Sequence, residues 1–230
     1  MNTTVSTTAT ASPRRGRGGR ERILAAASRL FATQGIGATG MEQVAEEAPV
    51  SKRTLYAHFR TKNDLVIAHL EGLALSGATL EGVLTREDIP PRDRIRRLFD
   101  QPVADGAPVR GCPFIDAAAE FPDPESAVHS YAREQKLRMV ELIVAVVTEL
   151  GCREPLALAE QLATLADGAA SRAMVLDEAD YGRHARAAAE VLLDQALQGE
   201  TEVETETEAE TEAETEAETG AEAGTGRAKG

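Results

Sequence analysis

From Ile23 to Ala196 apolar residues recur at three- and four-residue spacing, and the recurrence is broken only where Gly and Pro cluster. Nowhere do apolar and polar residues alternate over the length of a strand, and no Asn-Gly hairpin occurs. A chain patterned this way can bury its apolar faces only by packing helix on helix, so the expected fold class is all-α. Composition agrees: Ala, Leu, Glu and Arg are abundant, aromatics make up 3% and Trp is absent. Those proportions suit helices and exclude a β-sandwich or an aromatic platform on which bases stack. With 230 residues and 42% hydrophobic side chains, the chain can bury one substantial core or two small ones.

The spacing predicts three short helices in little more than forty residues. The first runs from Arg20 to Gln34-Gly35 with Ile23, Leu24, Ala27, Leu30 and Phe31 on its apolar face. The second carries Met41, Val44 and Ala45 behind Thr39, which with Glu42 has the form of a capping box. The third spans Ser51 to His58, with Leu55 and Phe59 facing inward. Thr61 or Asn63 can cap a longer helix that begins near Asp64. Further helices are expected over 64–86, 91–102, 113–120, 125–150, 155–178 and 181–198. The implied organisation is a disordered basic arm at 1–19, a three-helix module at 20–66, a larger helical bundle at 67–199 and a disordered acidic tail at 200–230. In that tail Glu stands at every even position from 200 to 218, a charge density that repels itself and buries nothing.

The formal net charge of −13 is distributed in blocks: residues 1–70 carry +5, residues 71–199 carry −9 and the tail carries −9. Screening over about 8–10 Å makes the local charge of the first seventy residues the one a polyanion would meet. No run of eighteen apolar residues and no apolar signal core is present, so a soluble, cytoplasmic protein is expected, with no membrane contact. Cys112 and Cys152 are too few for a disulfide framework and lack zinc-ligand spacing, so neither a metal nor a cofactor is expected.

Over Ile23 to Leu65 the run ILAAASRLFATQGIGATGMEQVAEEAPVSKRTLYAHFRTKNDL resembles the DNA-binding domain of the TetR family of transcriptional regulators. The likeness includes the Leu-Phe-x-x-x-Gly end of the first helix, the Val44-Ala45 pair and SKRTLYAHFRTKNDL. Downstream, GCPFIDAAAEFPDP resembles a stretch of the ligand-binding domains of one group of these regulators. The resemblance implies a helix-turn-helix module, a C-terminal helical ligand-binding domain and phosphate contacts by Thr39, Tyr56, His58 and Lys62. It also has a departure. The family usually has Ala-Gly-Val-Ser before the recognition helix, where this chain has Ala48-Pro49-Val50-Ser51. Proline is held near φ −65°, so this turn is expected to be built differently.

The residues support the same reading independently. Helix-turn-helix modules place a second short helix in the major groove, where its N-terminal side chains reach base edges. Lys52, Arg53 and Thr54 offer donors there, and Arg can pair bidentately with guanine. Arg14, Arg15, Arg17 and Arg20, interleaved with Gly, suit an arm on phosphates or in a minor groove.

One such module covers little DNA, so a homodimer on a palindromic double-stranded operator is expected. Its interface is expected in the last two helices, about 155–198, where Leu156, Leu158, Leu162, Leu165, Ala169, Ala173 and Leu176 precede Ala185, Ala188, Val191, Leu192 and Ala196. Some of these must serve the intrachain core, and the pattern does not divide them. A small-molecule effector site is expected from Phe99, Phe114, Phe121 and Met139 with Asp116, Glu120, His129 and Arg133. Glu120 and Arg133 have a competing use as a structural ion pair. No catalytic residues are assigned, and the leading function is a repressor released by its effector. The alternatives are a ligand-independent activator or DNA-organising protein, and a thiol hydrolase built on Cys112 and His129, which lacks a third orienting group.

Overall fold

The computed structural model describes residues 18–75, 80–100 and 111–198. Arg14, Arg15 and Arg17 of the arm, and the whole acidic tail, lie outside the described residues. In chain order the helices are α1 (Gly19–Gln34), α2 (Met41–Glu47), α3 (Lys52–His58), α4 (Lys62–Leu75), α5 (Leu80–Leu84) and α6 (Pro91–Arg96), which tightens into a 3-10 turn at Arg97–Phe99. They continue with α7 (Pro113–Glu120), α8 (Ala127–Glu149) and α9 (Pro155–Leu176). A second 3-10 turn, Ala179–Tyr181, leads into α10 over 182–198. No strand occurs among the described residues, and the fold is all-α as expected.

Two apolar clusters hold these helices. In the N-terminal head, Ile23, Ala27 and Phe31 of α1 close on Val44, Leu55, Phe59 and Leu65. The same cluster takes in Val66 of α4 and, beyond the boundary expected at residue 66, Ala68 and Leu70, and continues into Ala117 of α7 and Val128 of α8. In the body, Ile143, Val146 and Val147 of α8 share a cluster with Leu158, Leu162, Ala166 and Ala169 of α9, with Ile95, Leu98 and Phe99, and with Ala185, Ala189 and Leu193 of α10. Fully burying a Leu such as Leu162 contributes about 1.5–3 kcal/mol.

The structure divides the apolar residues of the last two helices. Leu158, Leu162, Ala169, Ala173 and Ala185 belong to the intrachain core, while Leu156, Val175, Leu176 and Val191 remain exposed. Polar bracing completes the body. Arg94, 5% exposed, donates to the Leu84 carbonyl and to Glu149, and Arg92 and Arg96 both reach Glu190 of α10. The two guanidinium groups, Arg96 foremost, hold the Glu190 carboxyl below the usual carboxylate range.

Two helix boundaries differ from expectation. Of the helix expected over 64–86, Lys62–Leu75 and Leu80–Leu84 are helical, and it ends two residues early, at Leu84, in a tightened turn where the Thr85 hydroxyl donates to the Glu81 carbonyl. The helix expected over 91–102 stops at Phe99, whose carbonyl lies against the backbone of Gly182 at the start of α10.

His69 of α4 stands edge-on to Phe31, with ring centroids 5.2 Å apart, and burial pushes its pKa below the ordinary histidine value. The unfolded chain therefore binds this proton more readily than the folded one. Stability is full above about pH 6.5 and declines as pH falls from there toward the lowered value. A His69→Gln variant is expected to lose less stability between pH 7.5 and 5 in urea titrations; an unchanged pH slope would assign the effect to another group.

Candidate nucleic-acid interface and its link to the body

The helix expected to read DNA is anchored by its apolar side. Ser51 caps α3, its hydroxyl accepting from the Thr54 amide at 3.1 Å, and Leu55 at 0% and Phe59 at 3% exposure fasten the helix to the head core. The opposite side presents Lys52, Arg53, Tyr56 and His58 to solvent. Arg53 has no side-chain partner among the described residues, so its guanidinium fork is free to pair. Lys52 instead forms an ion pair with Glu42 of α2, and that bond raises its pKa above the ordinary lysine value. The Thr54 hydroxyl is 2.8 Å from that of Ser51, and the His58 ring lies against Gly19 at the start of α1. Arg20 sits within α1 rather than in an arm, its guanidinium 5.5 Å from the centroid of the Phe59 ring.

Thr39 does not cap α2. Gly40 occupies the cap position without a side-chain bond, while the buried Thr39 hydroxyl donates to the Gly35 carbonyl at 2.8 Å and accepts from Gln34. Thr39 thus faces back onto the end of α1, and Glu42, the other half of the expected box, is turned to Lys52. A reciprocal box does form at α4, where Thr61 accepts from the Asp64 amide and Asp64 from the Thr61 amide; Asn63 is not the cap.

The turn between α2 and α3 keeps the route that glycine would take, contrary to the expectation of a rebuilt turn. The Val50 amide donates to the Ala45 carbonyl at 3.0 Å, the outer bond of a Schellman motif, and Pro49 occupies its left-handed position with φ 26°. The pyrrolidine ring favours φ near −65° and carries no N–H, so Pro49 is strained and cannot make the inner bond to the Glu46 carbonyl. Pro49→Gly is therefore expected to gain stability. Relief of strain, about 1–3 kcal/mol, and a recovered donor outweigh the roughly 0.4–1 kcal/mol of added unfolded-state freedom. A rise in Tm of about 2–4 °C in thermal unfolding would agree; a fall would show that the native turn suits the ring.

The head is tied to the body through Glu120, the last residue of α7. Its carboxylate accepts from the Ile36 amide at 3.0 Å and from the Gly37 amide, both in the turn between α1 and α2. The carbonyl of the same Gly37 accepts from Lys62 at 2.9 Å, so this turn is gripped by the body on one side and by the start of α4 on the other. Glu120 is consequently not paired with Arg133. No part of this link was anticipated from the sequence, because Glu120 lies 84 residues from Ile36.

The residues expected to bind an effector separate into groups. Phe114, His129 and Arg133 line a groove between α7 and α8, together with Ile115, Ala118 and Lys136. Phe99 and Met139 lie in the body core instead. Phe121 packs against the head cluster and its carbonyl lies 2.8 Å from His129 Nδ1. Asp116 lies beside Gly111 and does not line the groove.

Residues 23–69 match the family described as bacterial regulatory proteins, tetR family. The crystal structure of a tetR transcriptional regulator from Streptomyces avermitilis MA-4680 is 30% identical, with a TM-score of 0.66 over 77% of this chain and 97% of that one. The chain belongs to the TetR family. Another TetR-family regulator, SCO4454 from Streptomyces coelicolor, is 26% identical with a TM-score of 0.67, covering 78% of this chain and 96% of that one. Among curated relatives, the HTH-type transcriptional activator FasR of Mycolicibacterium smegmatis is 44% identical over 52 residues, which is 23% of this chain and 24% of FasR. The HTH-type transcriptional regulator YjdC of Escherichia coli is 26% identical over 179 residues, 75% of this chain and 93% of YjdC. This TetR-family chain is thus a DNA-binding transcriptional regulator, and its matched relatives are regulators rather than enzymes. Among its described residues no helix is long and apolar enough to cross a membrane.

Proposed function

We propose that the chain is a homodimeric repressor that binds a palindromic operator when empty and leaves it when a small-molecule effector occupies the body. The grip of Glu120 on the turn between α1 and α2 carries this reading, because it joins the helix lining the α7–α8 groove directly to the DNA-reading head. An effector releases DNA only if it binds the released conformation more tightly than the DNA-bound one. Two heads must also be held at half-site spacing, about 34 Å for one helical turn. The exposed Leu156, Val175 and Leu176 of α9 and Val191 of α10 supply apolar surface for a second copy. Such a regulator works where the chromosome lies, in the cytoplasm.

In this reading Arg53 reads a base, Lys52 and Thr54 support it at the front of α3, and Tyr56, His58 and Lys62 meet phosphates. Thr39 shapes the turn beside them, and Arg20 with Arg14, Arg15 and Arg17 adds positive charge at the start of the head. The test begins with operator selection from random DNA. Arg53→Ala is expected to cost about 1–3 kcal/mol and relax preference at one base pair in each half-site, whereas Lys62→Ala lowers affinity similarly for every sequence. Unaltered base preference in Arg53→Ala would remove direct readout by Arg53. A non-repeating footprint without two-fold symmetry would remove the paired-head reading.

A further inference from the structure

The groove between α7 and α8 is open to solvent and offers about 330 Å³, near the lower end of the range for small-molecule sites. Its apolar wall comes from Phe114, Ile115 and Ala118 of α7. On α8, His129, Arg133 and Lys136 follow at steps of four and three residues, as do Ala132 and Lys136 at four, and therefore share a face. No carboxylate lines this groove. Two of its three basic side chains are already engaged: Lys136 pairs with Asp167 of α9, and His129 Nδ1 lies 2.8 Å from the Phe121 carbonyl. Arg133 is not, and it has no carboxylate partner among the described residues.

The contrast with the neighbouring hollow of about 480 Å³ is informative. There Glu81, Glu134 and Glu141 surround Arg138, which pairs with Glu81 and Glu141, so that site has no unmatched cation. In the α7–α8 groove the imbalance runs the other way: an apolar wall faces a guanidinium whose fork matches a carboxylate bidentately.

We infer that the α7–α8 groove takes a small organic acid, its apolar body against Phe114 and Ile115 and its carboxylate on Arg133. This rests on the effector-released reading above and adds the chemical class of the effector. It also adds a route for the response. Seating a ligand against α7 acts on the helix whose last residue, Glu120, holds the Ile36 and Gly37 amides.

The test uses the full chain with phenylacetate and octanoate as probes and their neutral amides, phenylacetamide and octanamide, as controls. Binding is read by calorimetry, and operator occupancy is read separately by DNA titration. The carboxylates are expected to bind at least about tenfold more tightly than the amides. Arg133→Ala should remove that preference while leaving amide affinity unchanged, and Arg133→Lys should restore part of it. Arg133 is exposed, so these variants do not disturb the core. Equal binding of acids and amides, a preference that survives in Arg133→Ala, or no acid binding at millimolar concentration would each overturn the assignment. Arg133-dependent acid binding that leaves DNA occupancy unchanged upholds the ligand class and removes effector release. Amides that bind as well as the acids and displace the operator uphold release and overturn the ligand class.

Discussion

Gly182→Ala is expected to destabilise the body by about 1–3 kcal/mol, the penalty typical of overpacking a closed contact. An added Cβ would stand 2.0 Å from the Phe99 carbonyl oxygen and 3.1 Å from its carbon. Both are backbone atoms, so no rotamer change relieves the contact. Gly182 has ordinary helical angles, φ −55° and ψ −25°, and the requirement for glycine is therefore steric rather than conformational. That distinction sets the sign of the test. In a helix free of this contact Ala would be the better residue by about 0.8–1 kcal/mol. Urea unfolding that finds the Ala variant equally or more stable would show that α10 can move away from Phe99 at no cost.

Glu120→Gln is expected to weaken operator binding about tenfold while leaving the proposed dimer intact. The carboxylate satisfies two amides, one with each oxygen. A carboxamide has one oxygen and presents an NH2 group to the second amide, which leaves that donor facing another donor. Bonds to a charged acceptor contribute about 1.5–3 kcal/mol each where water is excluded, and less at the exposed Gly37. The loss of folding stability should accordingly be modest. Affinity suffers more, because a loosened head must be reoriented on each encounter with DNA. Gly37→Ala attacks the same contact from the other side, since its Cβ would stand 2.7 Å from the Glu120 carboxylate. Operator titration beside sedimentation decides the matter. Unchanged affinity in both variants would mean that α4 alone sets the head angle, and a lost dimer would place Glu120 in general structural support.

The head was largely legible in the sequence because its determinants are local. The three short helices fall within a residue or two of their expected limits, and Leu55 and Phe59 turn inward as their spacing requires. Thr39 misled for an equally local reason: its spacing to Glu42 fits a capping box, but its hydroxyl is taken by the carbonyl of Gly35. Pro49 misled in the opposite direction, because the hydrogen bond from Val50 to Ala45 preserves the turn around a residue that opposes it. The residues expected to bind an effector do not form one group. Phe114 and Arg133 line one groove from two helices, but periodicity alone could not tell that groove from the core that absorbs Phe99 and Met139. Glu120 was recognised as a polar residue with a purpose, and its actual partners lie too far along the chain for any spacing rule to reach.

The apolar cluster of the head does not end with the head. Val66 and Leu70 of α4, Ala117 of α7 and Val128 of α8 share it with Ile23 and Leu55. Head and body are therefore not two rigid pieces joined by a hinge, and a large swing would open a dry, close-packed layer to water. Reorientation that keeps this layer closed must proceed by shear, with helices sliding against one another by fractions of a side chain. In the dimeric repressor proposed above, a slight displacement of α7 would then become a small change of pitch between two reading helices, and the distance separating those helices would multiply its effect on DNA.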